Sequence, residues 1–497
     1  MADTTLEHAA GAPARAPGRT VQDHIDELPI WADGTNLASA PMTGMQWLIW
    51  GLAAAGKFFE GFVVFMTGVA LPLIASEFGL GSFEKGVISA ASLFGILVGA
   101  LVLGSLSDIF GRKPMFIIEM VIFTVFLALA CFCTNYIELV ICLLGIGLAL
   151  GCDYPTAHVI ISENIPSTAR GKLVLGAFAF QAVGILAGTG VGYLVLSAVG
   201  DLSAWRWMFA TAIIPALIVT VGRFFIIESA NWLWAKGDHA KAVEATKKLL
   251  IRKPQYPSEI NLSVRDTAAD GAHGKQNFGA LFNHKNIRAT ILASVPWFLQ
   301  DLSTYGIGIF TPTILAAAFG ANADKARSVT DVIASAVMAA KGAALTNSLL
   351  IVGIVFAVLL ADTLGRIKLQ VFGFVGCAVG LLLASIGSSL TGGGSTVMIF
   401  AGFMLFNFMT DLGPNAQTYL LAGEVFPTAI RAQGAGFAAA FAKVGAVATA
   451  FLFPVLLATI GTQALLYGLI VTSLLGGVVT WLARIETTGV SLDAFEH

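Results

Sequence analysis

Asp108-Ile109-Phe110-Gly111-Arg112 returns later in the chain as Asp362-Thr363-Leu364-Gly365-Arg366, and Glu163 with Arg170 returns as Glu424 with Arg431. The first pair of phrases lies 254 residues apart and the second 261, so the second half of the chain reads as a copy of the first. Both phrases are embedded in water-averse sequence. An origin in incidental solvated loops does not account for two charged motifs repeated at matching spacing, whereas a duplicated membrane bundle does. Paired halves flanking a central site are how alternating-access carriers are built, so the repeat points at transport.

Composition agrees. Of 497 residues, 57% are hydrophobic and 12% charged, with mean hydropathy +0.82, whereas soluble domains carry about a quarter charged residues. Runs apolar enough to cross about 30 Å of hydrocarbon fall near 46–74, 86–106, 115–134, 138–162, 173–199, 207–227, 287–318, 344–362, 369–388, 397–421, 434–459 and 462–484. The expected fold class is therefore an all-α membrane protein of twelve transmembrane helices in two pseudo-symmetric six-helix bundles. The expected division is an N-terminal tail at 1–45, a bundle at 46–228, a linker at 229–286, a second bundle at 287–484 and a tail at 485–497.

The tail holds no signal-peptide-like run, and Val21–Ile30, with Asp23, Asp26 and Glu27, reads as a solvated segment. Asp238–Leu250 reads as a short amphipathic surface helix, and Ala269–Gln276 as a flexible stretch. Arg112, Lys113, Arg170, Lys172, Arg366, Lys368, Arg431 and the lysine-rich linker gather on one side. Lys85, Arg206, Lys325 and Arg327 fall on the other. The positive-inside rule then puts both termini and the linker in the cytoplasm, and a bacterial inner membrane is the expected location. The five cysteines, Cys131, Cys133, Cys142, Cys152 and Cys377, are expected inside helices as small packing residues. No metal cluster, cofactor motif, nucleophile–base set or nucleic-acid patch is apparent, so an enzyme is not expected. The expected partners are a small solute or ion, protons and the lipid bilayer, with the chain acting as a monomer.

Gly104-x-Leu106-x-Asp108-x-x-Gly111-Arg112-Lys113 resembles the loop signature of the major facilitator superfamily, and Asp362–Arg366 supplies its second copy. Glu228-Ser229-Ala230-Asn231-Trp232-Leu233 and Glu486-Thr487-Thr488-Gly489-Val490-Ser491-Leu492 resemble the two signatures of its sugar-porter branch. Within that branch, Gly151-Cys152-Asp153-Tyr154-Pro155, Trp297-Phe298-Leu299-Gln300-Asp301 and Gly413-Pro414-Asn415 look like phosphate:proton symporters. The resemblance implies a substrate pocket of Tyr154, Gln181, Trp297, Asp301, Tyr305 and Asn415, with Lys443 at a matching lysine position. Helix 1 departs from it with Glu60 where the group has Asp and with Lys57 one turn earlier, and His158 and Asp411 are further ionisable additions.

Read as residues, each charge at membrane depth needs a partner, water or a changed protonation state. Glu60 and Asp153 are candidate proton carriers, with an ion pair to Lys57 as the alternative for Glu60. Trp297, Asp301 and Tyr305 are spaced by four, so they share one helical face. A protonated Asp301 would donate to a bound anion and, once ionised, help expel it. The alternative is a pairing of Asp301 with Lys443, while Asp411 is a rival partner for that lysine. His158 is a candidate proton relay or a packing histidine, and Glu119 is expected to meet a polar neighbour. Asp108, Arg112, Glu163, Arg170, Asp362, Arg366, Glu424 and Arg431 are expected to act in gating, as latches of one conformational state. The leading expectation is proton-coupled uptake of a small anion, phosphate first. The alternatives are a proton-coupled symporter of an organic acid, sugar or other polar metabolite, and a non-transporting solute sensor.

Overall fold

The computed structural model describes residues 19–29, 37, 39–103, 106–252, 256, 260–262, 278–318, 328–390, 393–427 and 430–488. The apolar runs fold as helices because a backbone in hydrocarbon must satisfy its own N–H and C=O groups. Six precede the linker: α1 (Gly44–Phe78), α2 (Ser82–Val98), α3 (Arg112–Ala130), α4 (Tyr136–Asn164), α5 (Ser167–Ala198) and α6 (Ala204–Phe224). The second half opens with α7 (Ile287–Ala318), α8 (Val329–Leu364) and α9 (Arg366–Ser389). The tenth pass is broken at Gly413 into Gly393–Leu412 and Pro414–Glu424, together α10, because Pro414 lacks the N–H that would continue the first piece.

Arg431–Leu482 is a continuous run of 52 residues that doubles back at Gly461, where φ of 79° and ψ of 169° suit only glycine. It therefore supplies α11 (431–460) and α12 (462–482). Ten stretches are long and apolar enough to cross a membrane, the doubled-back run being one of them. Counting its halves separately and adding α7 makes twelve passes among the described residues.

Local signals set the ends. Thr43 caps α1 in a reciprocal box with Gln46, and Ser328 does the same for α8 with Asp331. Gly79 closes α1 in a left-handed conformation. Because Ser328 and Asp331 start it, α8 begins well before the apolar run expected at 344; Lys341 and Asp331 hid its first four turns from a hydropathy reading.

Within the first half α1 packs on α5 and α2 on α4; within the second, α9 packs on α10 and α7 on the α11–α12 run. Gly61 and Gly184 permit the α1–α5 contact, since a Cβ at either would collide with the other helix's backbone. The halves meet through α1–α7, α2–α11 and α5–α8. Towards the end away from the termini the halves come close, with Gly68 against the Ile309 carbonyl and Gly308 against the Phe65 ring.

Two expectations change. Val21–Ile25 is a capped helical turn with Val21, His24 and Ile25 buried, so this part of the tail is not a solvated segment. It lodges against the linker and the α4–α5 loop: Gln22 donates to Ile165 O, the Ser167 N–H to Asp26 (2.8 Å), and Arg252 to Ile25 O (2.7 Å). Cys131 caps the end of α3 and Cys133 sits in the following turn, so these two cysteines are not inside helices. In the linker His239–Leu249 is helical, with Ala242, Ala245, Thr246 and Leu249 buried on one face. Residues 269–276 and Ile30 lie outside the described residues.

Candidate functional site

Midway along α1, Lys57 and Glu60 stand three residues apart and thus on one face. Lys57 Nζ lies 2.8 Å from Glu60 Oε2. From the other half, α11 brings Lys443 Nζ to 3.0 Å from Glu60 Oε1, and α7 brings the Tyr305 hydroxyl, which donates to the same oxygen at 2.9 Å. The Tyr305 oxygen in turn accepts from Lys443 (2.6 Å) and from Gln181 on α5 (3.2 Å). Asp301, one turn before Tyr305, points at the same lysine: its Oδ2 is 3.7 Å from Lys443 Nζ, beyond hydrogen-bond length, and is buried without a hydrogen-bond partner. Two cations and two carboxylates from both halves thus share one buried knot, and mutual neutralisation offsets the cost of removing them from water.

Beside the knot runs a wall of rings. Phe178 of α5 stacks on Tyr419 of α10 at 4.5 Å, and Trp297 meets Tyr419 edge-on at 6.1 Å. Lys57 Nζ lies 5.8 Å from the Phe178 ring centre. On the other flank Phe65 and Tyr305 rings are 6.0 Å apart. A polar line continues inside the second half: Gln300 donates to Thr304 (2.7 Å) and to Asn415 Oδ1 (3.1 Å), and Asn415 donates to Asp411 (2.6 Å). Asp411 therefore meets Asn415, not Lys443 as the rival pairing required. The Tyr154 side chain lies outside what the structure describes, and His158 is exposed.

Asp153 does not join Glu60. It is bound to Arg223 of α6 at 2.5 Å, and the same guanidinium reaches Glu119 of α3 at 2.7 Å and the Phe116 carbonyl at 2.6 Å. Arg223 is fully buried. Its planar fork serves two carboxylates and carbonyls where a lysine's point charge would not. Asp153 still touches α1, because its carboxylate lies over Gly56, where a Cβ would collide with it. Sequence reading missed Arg223, taken as part of an apolar run, and also missed Phe178, Tyr419 and Gln300. The Arg223 position was detectable as a cation within a span that also had two unpaired carboxylates nearby.

The repeated motifs form two copies of one arrangement. Arg112 reaches Glu163 at 3.3 Å; Arg366 reaches Glu424 at 3.2 Å. Glu228 accepts from the Arg112 and Lys113 N–H groups, and Glu486 from those of Arg366 and Ile367. Gly111 (φ 108°) and Gly365 (φ 91°) turn the chain so that these N–H groups face the glutamates. Ser229 and Thr487 donate to Glu163 and Glu424. Each of these contacts stays within its own half. Arg431 donates to the Phe426 carbonyl, and Arg170 is half-buried. Side chains of Asp108 and Asp362 lie outside the described residues. The twin glutamates differ electrostatically. Burial pushes Glu228 above the usual carboxylate range; burial pushes Glu486 up too, but hydrogen bonds from Thr488 and the Arg366, Thr488 and Ile367 N–H groups outweigh it and hold it below.

Comparison with known proteins adds sequence and fold relationships. Residues 50–497 match the family model described as Sugar (and other) transporter. The Inner membrane metabolite transport protein YgcS of Escherichia coli is 30% identical over 88% of this chain and 90% of that protein. The Glucose transporter GlcP of Staphylococcus epidermidis is 26% identical over 92% and 98%. A partially occluded inward-open structure of the xylose transporter XylE from Escherichia coli superposes with a TM-score of 0.72 at 19% identity, covering 90% of this chain and all of that one.

Proposed function

Because the chain belongs to the Sugar (and other) transporter family, we propose that it is a proton-coupled carrier that moves a small polar metabolite by alternating access. The observation that supports this reading most is the buried knot of Lys57, Glu60, Asp301 and Lys443, which draws its charges from both halves. Rocking the halves pulls such a knot apart, so its protonation state bears directly on which conformation is favoured. Glu60 and Asp301 are the proposed proton sites. Gln181, Tyr305, Trp297, Asn415, Tyr154 and Lys443 are the proposed solute contacts, with Asp153 and His158 as further proton-handling candidates. The two bundles, 46–228 and 287–484, are the proposed moving units, and the Arg112–Glu163 and Arg366–Glu424 pairs hold the helix ends of each unit rigid. The termini and the 229–286 linker are placed in the cytoplasm on the basis of loop charge, and the chain is proposed to work as a monomer.

Phosphate is carried as one arm of the test, since a knot with equal numbers of lysines and carboxylates does not single it out. The protein is reconstituted in liposomes and a panel of sugars, organic acids and phosphate is added while internal pH is followed. A solute that drives proton movement supports the reading. Glu60→Gln is expected to retain solute exchange and lose pH-gradient-driven accumulation. If no solute moves protons in the wild type, the proposal of proton coupling falls.

A further inference from the structure

Glu60 is gripped from both sides of the interface. Lys57 holds one carboxylate oxygen, while Lys443 and the Tyr305 hydroxyl hold the other. Lysines from opposite halves, each on one oxygen of a planar carboxylate, form a seat shaped for a carboxylate, and here the protein's own side chain fills it. We propose that Glu60 is a built-in surrogate for the solute, and that the solute is a monovalent organic carboxylate.

This assignment rests on the proton-coupled reading above and on the balance of charge in the knot. Lys57 and Lys443 contribute two positive charges, Glu60 and Asp301 two negative, and the knot is neutral while empty. One proton from the medium on Glu60 removes its claim on both ammoniums and leaves one positive charge in a buried site. A solute with a single negative charge restores neutrality. A neutral sugar leaves the positive charge uncompensated and doubly charged phosphate leaves a negative one, either costly at this depth; singly charged phosphate balances the charge but brings no apolar body to set against the adjoining Phe178–Tyr419 wall. When the carboxylate departs, Glu60 gives up its proton on the same side and takes back the lysines. One proton and one monoanion have then crossed, with no net charge moved.

The surroundings fit an organic anion. The groups facing Glu60 are Lys57 on its own helix, Gln181 on α5, Asp301 and Tyr305 on α7, Lys443 on α11 and the Tyr419 ring on α10. Tyr305 and Gln181 are neutral groups able to hydrogen-bond a carboxylate in place of Glu60. The Phe178–Tyr419 stack beside Lys57 offers an apolar wall to the body of the solute.

The test uses the full-length protein in liposomes with labelled benzoate, lactate, inorganic phosphate and glucose as probes. Counterflow is expected for a carboxylate, with phosphate and glucose at background and no dependence on membrane potential. Apparent affinity for that carboxylate is expected to fall about tenfold per pH unit on the alkaline side, as one bound proton requires. Glu60→Gln is expected to bind the carboxylate with no pH dependence and to exchange it without accumulating it. Should that variant fail to fold, the wild-type pH slope and probe preference decide. Transport of glucose or phosphate without either carboxylate, potential-driven uptake, or an unchanged pH slope in Glu60→Gln overturns the proposal. Proton movement with glucose alone sinks only this inference, whereas no proton movement with any probe sinks the reading beneath it.

Discussion

Among single residues, Arg223 carries the heaviest structural consequence. It is buried between Glu119 and Asp153, and it also donates to Leu52 O and Phe116 O, so it ties α6 to α1, α3 and α4. Removing it leaves two carboxylates buried without their counter-charge. Arg223→Ala is therefore expected to destabilise the first half by about 3–5 kcal/mol, read as a loss of folded yield and a lowered unfolding temperature in detergent. Unchanged stability would mean that the two acids find other partners. Asp153 illustrates how far sequence reading goes at this scale. Its burial and need for a partner were legible from an acid within an apolar run. Which partner it finds was not, because that depends on the rotation of α4 relative to α6, about which neither helix alone carries information.

At the level of elements, the two charged turns before α3 and α9 work by the same geometry. Gly111 and Gly365 adopt φ of 108° and 91°, where a side chain is strained, and a Cβ on either would also crowd Glu228 or Glu486. Gly111→Ala and Gly365→Ala are each expected to cost about 1–3 kcal/mol, measured by thermal unfolding; Gly171→Ala, in a helix with open space around it, is the control expected to show no loss and up to about 1 kcal/mol of gain. The Val21–Ile25 turn makes a second element-scale prediction. Burial holds His24 below its ordinary value of 6.5. Above that pH the ring is neutral whether the turn is docked or free. As pH falls below it, the free segment takes up a proton that the docked one resists, so docking weakens towards acid. Amide exchange at residues 19–29 is expected to be faster at about pH 5.5 than at about pH 7.5 after correction for intrinsic rates. Equal protection at both would refute the coupling. The turn was misread as solvated because its three acids outweighed Val21 and Ile25. Its apolar face is short, and the surface that covers it is assembled from the linker and the α4–α5 loop, distant in sequence.

For the whole molecule, what counts is how the halves meet. The Phe178–Tyr419 stack and the Gly68–Ile309 approach bridge them on either side of the Lys57–Glu60–Lys443 knot. Joining α5 to α10 by a cross-link between Phe178→Cys and Tyr419→Cys is expected to abolish uptake, with recovery on adding reductant. Uptake that survives the cross-link would show that these helices need not part. The twelve passes, the duplication and the family were determined by the sequence alone. Hydropathy is a sum over neighbouring residues, and a repeated motif is visible wherever it falls. That Trp297, Asp301 and Tyr305 share a face also followed from helical spacing. Only the tertiary structure decided that Glu60 belongs with Lys443 and Tyr305 while Asp153 belongs with Arg223 and Glu119. Those pairings depend on helix rotation and on the register of one bundle against the other, which are set by glycine contacts and by packing across hundreds of residues of chain.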